Sequence, residues 1–221
     1  MKIAIDIDNV LVDTTQCVID YINKRLPNLN LTMDDIKSYY IENALPEEYK
    51  WIVPIVFEQS EMWREVKLIK DAAIFVEKLY NHEAEIYFAT ATTEQNFKKK
   101  VGFLTRSFPF FPEGYVRKHS ISIKEKQLLG VDYLIDDYLS NFTGDHTYQS
   151  ILFDYPWNRN FEGMDMRSSI WRCSNWSQIY NTIGYISGEP NWYGNFSPYI
   201  QIGHREDIGK KKVKVNVRRK N

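Results

Sequence analysis

Six residues of this chain have the types and the order needed to move a phosphoryl group: Asp6, Asp8, Thr90, Lys126, Asp136 and Asp137. Carboxylates gathered at one place repel each other unless a proton or a cation relieves them. Magnesium suits that task, because it takes hard oxygen ligands and keeps waters and a substrate phosphate in its shell. With the ion present, one carboxylate can attack phosphorus, since the cation offsets the repulsion between two anions. A second carboxylate two residues along can protonate the leaving oxygen and then activate water against the phospho-aspartate. A threonine hydroxyl, backbone N–H groups and a lysine would hold the equatorial oxygens. Taken singly these residues are ordinary: an Asp-x-Asp is usually a turn, an Asp-Asp pair a helix start, a lone threonine an N-cap. Their joint order, with Lys126 ten residues before Asp136, singles them out.

To act together they need a scaffold that brings strand ends to one edge. Lys2–Ile7 is an apolar, β-branched run ending at the first carboxylate pair, Glu85–Ala89 ends at Thr90, and Val131–Ile135 runs into Asp136 and Asp137. Ser150–Phe153 and Ile170–Cys173 read as further strands, and Tyr115–Ile121 as another. Between them, Thr14–Leu26, Asp71–Asn81, Glu94–Phe108 and Asn175–Ile183 carry helical periodicity, the last started by Asn175 or Ser174 as N-cap. Strands alternating with helices predict an α/β fold, a three-layer Rossmann-like parallel sheet with ligands at the carboxyl ends of its strands. From Leu29 to about Lys70 the pattern stays helical but is dense in aromatics, including Tyr39, Tyr40, Tyr49, Trp51, Phe57 and Trp63. It reads as a small helical insertion. The expected division is a catalytic core over 1–14 and 72–190, a helical cap over 15–71, and a C-terminal extension with a basic tail over 191–221.

Composition narrows the partners. Of 221 residues, 43% are hydrophobic and 26% charged, an ordinary mixture for a chain with a real core. Residues 210–221 hold seven basic and no acidic side chains, which leaves 21 basic against 29 acidic residues on the rest. An acidic body argues against nucleic acid as a partner, except through the tail. No run approaches the roughly 20 apolar residues of a membrane helix, so no membrane partner is expected. The opening Met1–Asp6 lacks a signal-peptide layout and Cys17 and Cys173 form no metal-type spacing, so a reducing cytoplasm is the expected location. His82, His119, His146 and His204 show no metal-ligand spacing. The sequence leaves room for a homodimer.

Ile5-Asp6-Ile7-Asp8-Asn9-Val10-Leu11 resembles the first motif of haloacid dehalogenase phosphatases, and Phe88-Ala89-Thr90 the second. Lys126 stands where the third is expected, and Leu134-Ile135-Asp136-Asp137 resembles the fourth. Within that superfamily the chain is most similar to the 5′(3′)-deoxyribonucleotidases, over roughly residues 1–185, with the later Leu152–Arg159 segment supporting the likeness. The resemblance implies the haloacid dehalogenase fold and a magnesium-dependent phosphomonoester hydrolase. Asp6 would be the nucleophile and Asp8 the acid/base. Asp6, the Asp8 backbone carbonyl and Asp137 would hold magnesium, with Asp136 holding a metal water or an adjacent group. Thr90, Lys126 and Lys100 would bind phosphate, and Lys124 falls near a basic position of the family. Three departures stand out: Asn9 replaces a glycine, Ala91-Thr92 replaces a frequent Ser-Pro, and Thr14 stands where pyrimidine-selective members have an aromatic residue.

Tyr39, Tyr40 and Phe57 resemble the aromatic walls of the nucleotidase base pocket, and equally suit the core of a small cap. The expected substrate is a small phosphomonoester, a (deoxy)nucleoside monophosphate first. A sugar phosphate, a nucleic-acid 3′-phosphate end, or a non-catalytic nucleotide- or protein-binding role are the alternatives.

Overall fold

The computed structural model describes residues 1–59, 62–160, 164, 169–189, 192 and 200–201. Six parallel strands form the sheet: β1 (Lys2–Asp6), β2 (Glu85–Thr90), β3 (Ser120–Ser122), β4 (Tyr133–Asp136), β5 (Gln149–Phe153) and β6 (Ile170–Cys173). A short β7 (Ile200–Gln201) adds antiparallel to β6, and the spatial order is β3-β2-β1-β4-β5-β6-β7. The order reverses at β1, so β2, β1 and β4 lie side by side, with Asp6 opposite Ala89 and Ile5 opposite both Phe88 and Ile135. That register sets the ends of three neighbouring strands level, and those ends carry Asp6, Thr90 and Asp136.

Period-two alternation gives the sheet two apolar faces. Ile3, Ile5, Ile86, Phe88, Ile135 and Ile151 pack with Val18, Ile19 and Ile22 of α1 (Thr14–Arg25), Val76 and Leu79 of α4 (Ala72–Asn81), and Ile179 and Ile183 of α7 (Trp176–Ser187). Ala4, Ala89, Leu134 and Leu152 form the second cluster with Leu139 and Phe142 of a 3-10 turn. Asn175 caps α7, its side chain accepting from Gln178 N at 2.9 Å, as its residue type predicts. Trp176, fully buried, donates its indole N–H to Val10 O at 2.9 Å and ties α7 to the loop that follows β1.

Two sequence expectations are corrected. The segment Tyr115–Ile121 is not one strand: α6 (Tyr115–Lys118) precedes the three-residue β3. Tyr115 and His119, four apart, stack face to face at 3.9 Å, and the Tyr115 hydroxyl accepts from Ile86 N at 3.0 Å; these contacts favour the helical turn. The insertion is less helical than its periodicity suggests. Four 3-10 turns, at Pro27–Leu29, Met33–Asp35, Ile41–Ala44 and Glu47–Tyr49, precede the short α2 (Ile52–Glu58) and α3 (Met62–Glu65). Pro27 and Pro46, with Asn30 in the left-handed region, interrupt any longer helix. The chain leaves the sheet edge at Val12 and returns beside it at Leu68, where the two form an antiparallel bridge flanked by Asp13 N–Lys67 O (2.9 Å) and Ile69 N–Leu11 O (2.8 Å).

Among the described residues no helix is long and apolar enough to cross a membrane, and Cys17 and Cys173 are both free thiols. The basic tail lies outside the described residues.

Candidate active site

At the end of β1 the chain turns through Asn9, whose φ of 57° lies in the left-handed region that asparagine tolerates better than other non-glycine residues. The turn is closed by Asn9 N donating to Val12 O at 2.7 Å. Asp6 and Asp8, on the approach to this turn, take different lysine partners.

Asp6 is 6% exposed and faces the end of β4. Carboxylate oxygens of Asp6, Asp136 and Asp137 lie within 4.8 Å of one another. Lys126, buried beside them, donates Nζ to Asp6 Oδ1 and, at 2.6 Å, to Asp136 Oδ2. Asp136 also accepts from Tyr138 N at 2.8 Å and from Asn141 Nδ2 at 2.9 Å. Burial pushes Asp6 up to about 7, against the pull of Lys126 and with the help of Asp136 and Asp8. Burial, then Asp6 and Asp136, hold Asp137 well above the usual carboxylate range. One lysine thus leaves the three carboxylates short of positive charge. Buried, convergent and built of hard oxygens, the cluster fits a divalent cation of the magnesium or calcium kind.

Asp8 belongs to a second group. It forms an ion pair with Lys100, accepts from Thr14 Oγ1 at 2.8 Å, and accepts from Thr90 Oγ1 at 3.3 Å. Lys100 Nζ also donates to Thr90 Oγ1 at 2.7 Å. Burial works to raise the Asp8 pKa, but the charge and hydrogen bonds of Lys100 and Thr14 outweigh it and hold the group below its ordinary value. Lys100 comes from α5 (Glu94–Ser107), whose N-cap Thr93 accepts from Asn96 N, and the helix points that lysine back to the strand ends.

All six motif residues and Lys100 therefore converge at one sheet edge. The Asp8 side chain lies outside the three-carboxylate cluster. Lys124 is exposed, two residues before Lys126. Thr14, Asn9 and Trp157 also belong to the site, through contacts with its carboxylates. Asn9 Nδ2 and Trp157 Nε1 both donate to Asp137 Oδ2, at 3.2 and 3.1 Å.

Beside the Asp8 group opens a cavity of about 430 Å³. Its lining includes Asp8, Thr14 and Lys100, the rings of Tyr39, Tyr40 and Phe57, and Val53, Ala91, Thr92, Asn96 and Glu42. Tyr39 packs against Tyr138 at a tilt of 32°, with ring centroids 4.0 Å apart, and meets Tyr40 edge-on at 5.6 Å. Burial, then the charges of Asp137 and Asp6, raise the Tyr39 hydroxyl above its ordinary value. Trp63 is buried and Trp51 is 58% exposed; neither lines the cavity.

The family model described as 5′ nucleotidase, deoxy (pyrimidine), cytosolic type C protein matches residues 1–187. The chain belongs to that family. This type C nucleotidase relative is a hydrolase of the phosphatase kind, and its resemblance to the deoxyribonucleotidases extends to whole proteins. It is 31% identical over 193 residues to a candidate 5′(3′)-deoxyribonucleotidase of Staphylococcus epidermidis (strain ATCC 12228 / FDA PCI 1200), covering 84% of this chain and 97% of that one. It is 29% identical over 186 residues to the 5′(3′)-deoxyribonucleotidase of Bacillus subtilis (strain 168), covering 80% and 95%. Among solved structures, a HAD family hydrolase from Deinococcus radiodurans R1, which holds phosphate and sodium, superposes with a TM-score of 0.56 at 12% identity over 84% of this chain and 96% of that one. A haloacid dehalogenase-like protein from Agrobacterium tumefaciens C58 gives 0.51 at 13% identity, over 84% and 98%. Together they show the haloacid dehalogenase fold.

Proposed function

We propose that this chain removes phosphate from (deoxy)nucleoside monophosphates through an aspartyl-phosphate on Asp6, with magnesium held by Asp6, Asp137 and the Asp8 backbone carbonyl. The observation that carries the reading is the cavity that joins Asp8 and Lys100 to the rings of Tyr39, Tyr40 and Phe57. Phosphate-binding groups and aromatic rings lining one cavity match a phosphate attached to a base-bearing sugar. Residues 15–71 would act as the cap over a core of 1–14 and 72–190, with 191–221 as an extension.

When bound, magnesium supplies the charge that lets a carboxylate approach an anionic phosphoryl group. The remaining work falls to the chain's own residues. Asp6 attacks phosphorus, forming an Asp6 oxygen–phosphorus bond as the bond to the sugar oxygen breaks. Lys126 keeps Asp6 oriented and, with Thr90 and Lys100, binds the phosphoryl oxygens, while Asp136 holds Lys126 in place. As Lys100 and Thr90 turn to the phosphoryl group, Asp8 loses its ion-pair partner and its proton affinity rises. It takes up a proton from solvent and gives it to the leaving sugar oxygen. In the second half Asp8 takes a proton from water, which displaces Asp6 from phosphorus and releases phosphate.

The test is an array of phosphate esters assayed with the full chain: 5′- and 3′-nucleoside monophosphates in ribo and deoxy forms, sugar phosphates, and 3′-phosphorylated oligonucleotides. The reading expects nucleoside monophosphates to give the highest kcat/KM. A sugar phosphate or an oligonucleotide end turned over tenfold better than every nucleotide would overturn it.

A further inference from the structure

The segment Asp154-Tyr155-Pro156-Trp157-Asn158-Arg159, which follows β5, has no part in the chemistry above, yet it grips the last residue of the fourth motif from two sides. Trp157 Nε1 donates to Asp137 Oδ2 at 3.1 Å. Asn158, 1% exposed, donates Nδ2 to Asp137 O at 2.9 Å and to Phe153 O at 2.7 Å. Its Oδ1 accepts from Tyr155 N at 3.1 Å and from Arg172 Nη1 at 2.8 Å, so both donors and the acceptor of this amide are in use. Arg172, on β6, also donates to Asn158 O at 2.7 Å and pairs with Asp154. The indole is held flat against Tyr155, with ring centroids 4.2 Å apart and planes 6° from parallel. From the opposite side Asn9 Nδ2 reaches the same oxygen, Asp137 Oδ2, at 3.2 Å.

Two donors on Oδ2 leave Oδ1 without one among the described residues, and Asp137 cannot rotate without breaking both bonds. We propose that Trp157 and Asn9, with Asn158 fixing the backbone between them, are positioning residues that lock Asp137 in one rotamer and present Oδ1 to the cation. The inference rests on the reading of Asp137 as a metal ligand. A carboxylate whose second oxygen is already bonded binds a cation with less rotamer entropy left to lose, and partners of this kind behind metal ligands commonly matter to affinity.

The experiment measures magnesium binding to the full chain by calorimetry, beside the magnesium dependence of p-nitrophenyl phosphate hydrolysis. Trp157→Phe keeps the ring and its stack but removes the N–H. It should weaken magnesium binding roughly 10- to 100-fold, with the magnesium activation constant rising by the same factor. KM for the ester at saturating magnesium and the metal-free melting temperature should hold. Trp157→His, which keeps a ring N–H, should recover part of the affinity. Asn9→Gly removes the second donor while preserving the left-handed turn, and it should weaken binding in the same way even if the Trp157 variants fold poorly. Because both donors serve one oxygen, the double variant should lose less than the sum of the two in free energy. Asp137→Asn separates the two levels of the argument. If it binds magnesium as tightly as wild type, Asp137 is not a ligand and the underlying reading falls. If it loses binding while well-folded Trp157→Phe and Asn9→Gly bind as wild type, the ligand stands and the positioning role is overturned.

Discussion

Thr14 donates its hydroxyl to Asp8 Oδ1 at 2.8 Å while Lys100 pairs with Asp8 Oδ2, so each oxygen of the proposed acid/base has its own partner. Thr14 is 2% exposed at the first position of α1, and Thr14→Val would keep its shape while removing the donor. The expected result is a kcat loss of roughly tenfold with little change in KM, below the about 10²–10⁴ that a whole acid/base group contributes. Steady-state kinetics on an alkyl phosphate, whose leaving oxygen needs the proton that nitrophenolate does not, reads this directly. An unchanged kcat would mean that Lys100 and Thr90 suffice to orient Asp8.

Asp6→Asn should abolish turnover and leave the fold intact. The amide keeps the shape but cannot displace the sugar oxygen, so less than about a hundredth of the wild-type rate should remain; losses of single catalytic groups run to several decades. Asp6 lies among Asp136, Asp137 and Asp8, so removing its charge also relieves repulsion, and the metal-free melting temperature should not fall. A folded variant with substantial activity would remove Asp6 from the nucleophile role.

Much of this was legible in the sequence because strand ends and carboxylates share a simple grammar. Apolar runs stopping at Asp6, Thr90 and Asp136 imply a parallel sheet, and a parallel sheet implies that those residues meet. Lys100 was reachable through the helix that follows Thr90. Contacts made by fold-specific geometry were not. Nothing local to Thr14 says that its hydroxyl turns back six residues to Asp8, and nothing local to Trp157 points to Asp137, twenty residues away. Tyr115–Lys118 misled because a short aromatic and β-branched run fits either period; the stack of Tyr115 on Phe111 at 4.4 Å is a tertiary contact that decides it. The 3-10 turns of the insertion follow from Pro27 and Pro46, which cut the long helical periodicity into short pieces.

Magnesium should stabilise the protein more as pH rises, and a chelator should abolish activity. Without a cation, burial pushes Asp6 up to about 7 and moves Asp137 the same way. A carboxyl whose folded pKa is raised binds its proton more tightly in the native state. Its contribution is therefore full below the unfolded value of 3.8 and is lost as pH climbs to about 7. Asp8, shifted down, acts oppositely but only as pH falls below its ordinary range. A bound cation replaces the displaced protons. Thermal unfolding between pH 5 and pH 8, with magnesium and with EDTA, should show a magnesium-dependent rise in Tm that is larger at pH 8. A rise that shrinks with pH would contradict binding at these carboxylates.

The cavity walls offer the sharpest separation of recognition from chemistry. Tyr40 is 56% exposed and lines the cavity, so Tyr40→Ala removes a ring at little expense to packing. Phe57 lines it too but is half-buried and packs against the main core, so Phe57→Ala should also lower Tm. If these rings stack on a base, either replacement should raise KM for a nucleoside monophosphate. Stacking is worth about 1–3 kcal/mol per base, which corresponds to roughly 5- to 150-fold in binding. Hydrolysis of p-nitrophenyl phosphate, which needs only Asp6, Asp8 and their partners, should change much less in Tyr40→Ala. Equal loss on both substrates with a lower Tm would mark Tyr40 as cap core and remove the main recognition argument. No effect on either would mean that the base lies elsewhere, along Asn96, Thr92 or Glu42. Thr14 lines this cavity where pyrimidine-selective relatives carry an aromatic wall, and its hydroxyl is committed to Asp8. With that wall missing, stacking comes from Tyr39, Tyr40 and Phe57, and every base presents a π-face to them. The nucleotide series should therefore show weak discrimination between pyrimidine bases, within about tenfold in kcat/KM, or roughly 1.4 kcal/mol. A strong preference for one pyrimidine would require a hydrogen-bonding group that reads the base edge and would overturn this account of the pocket.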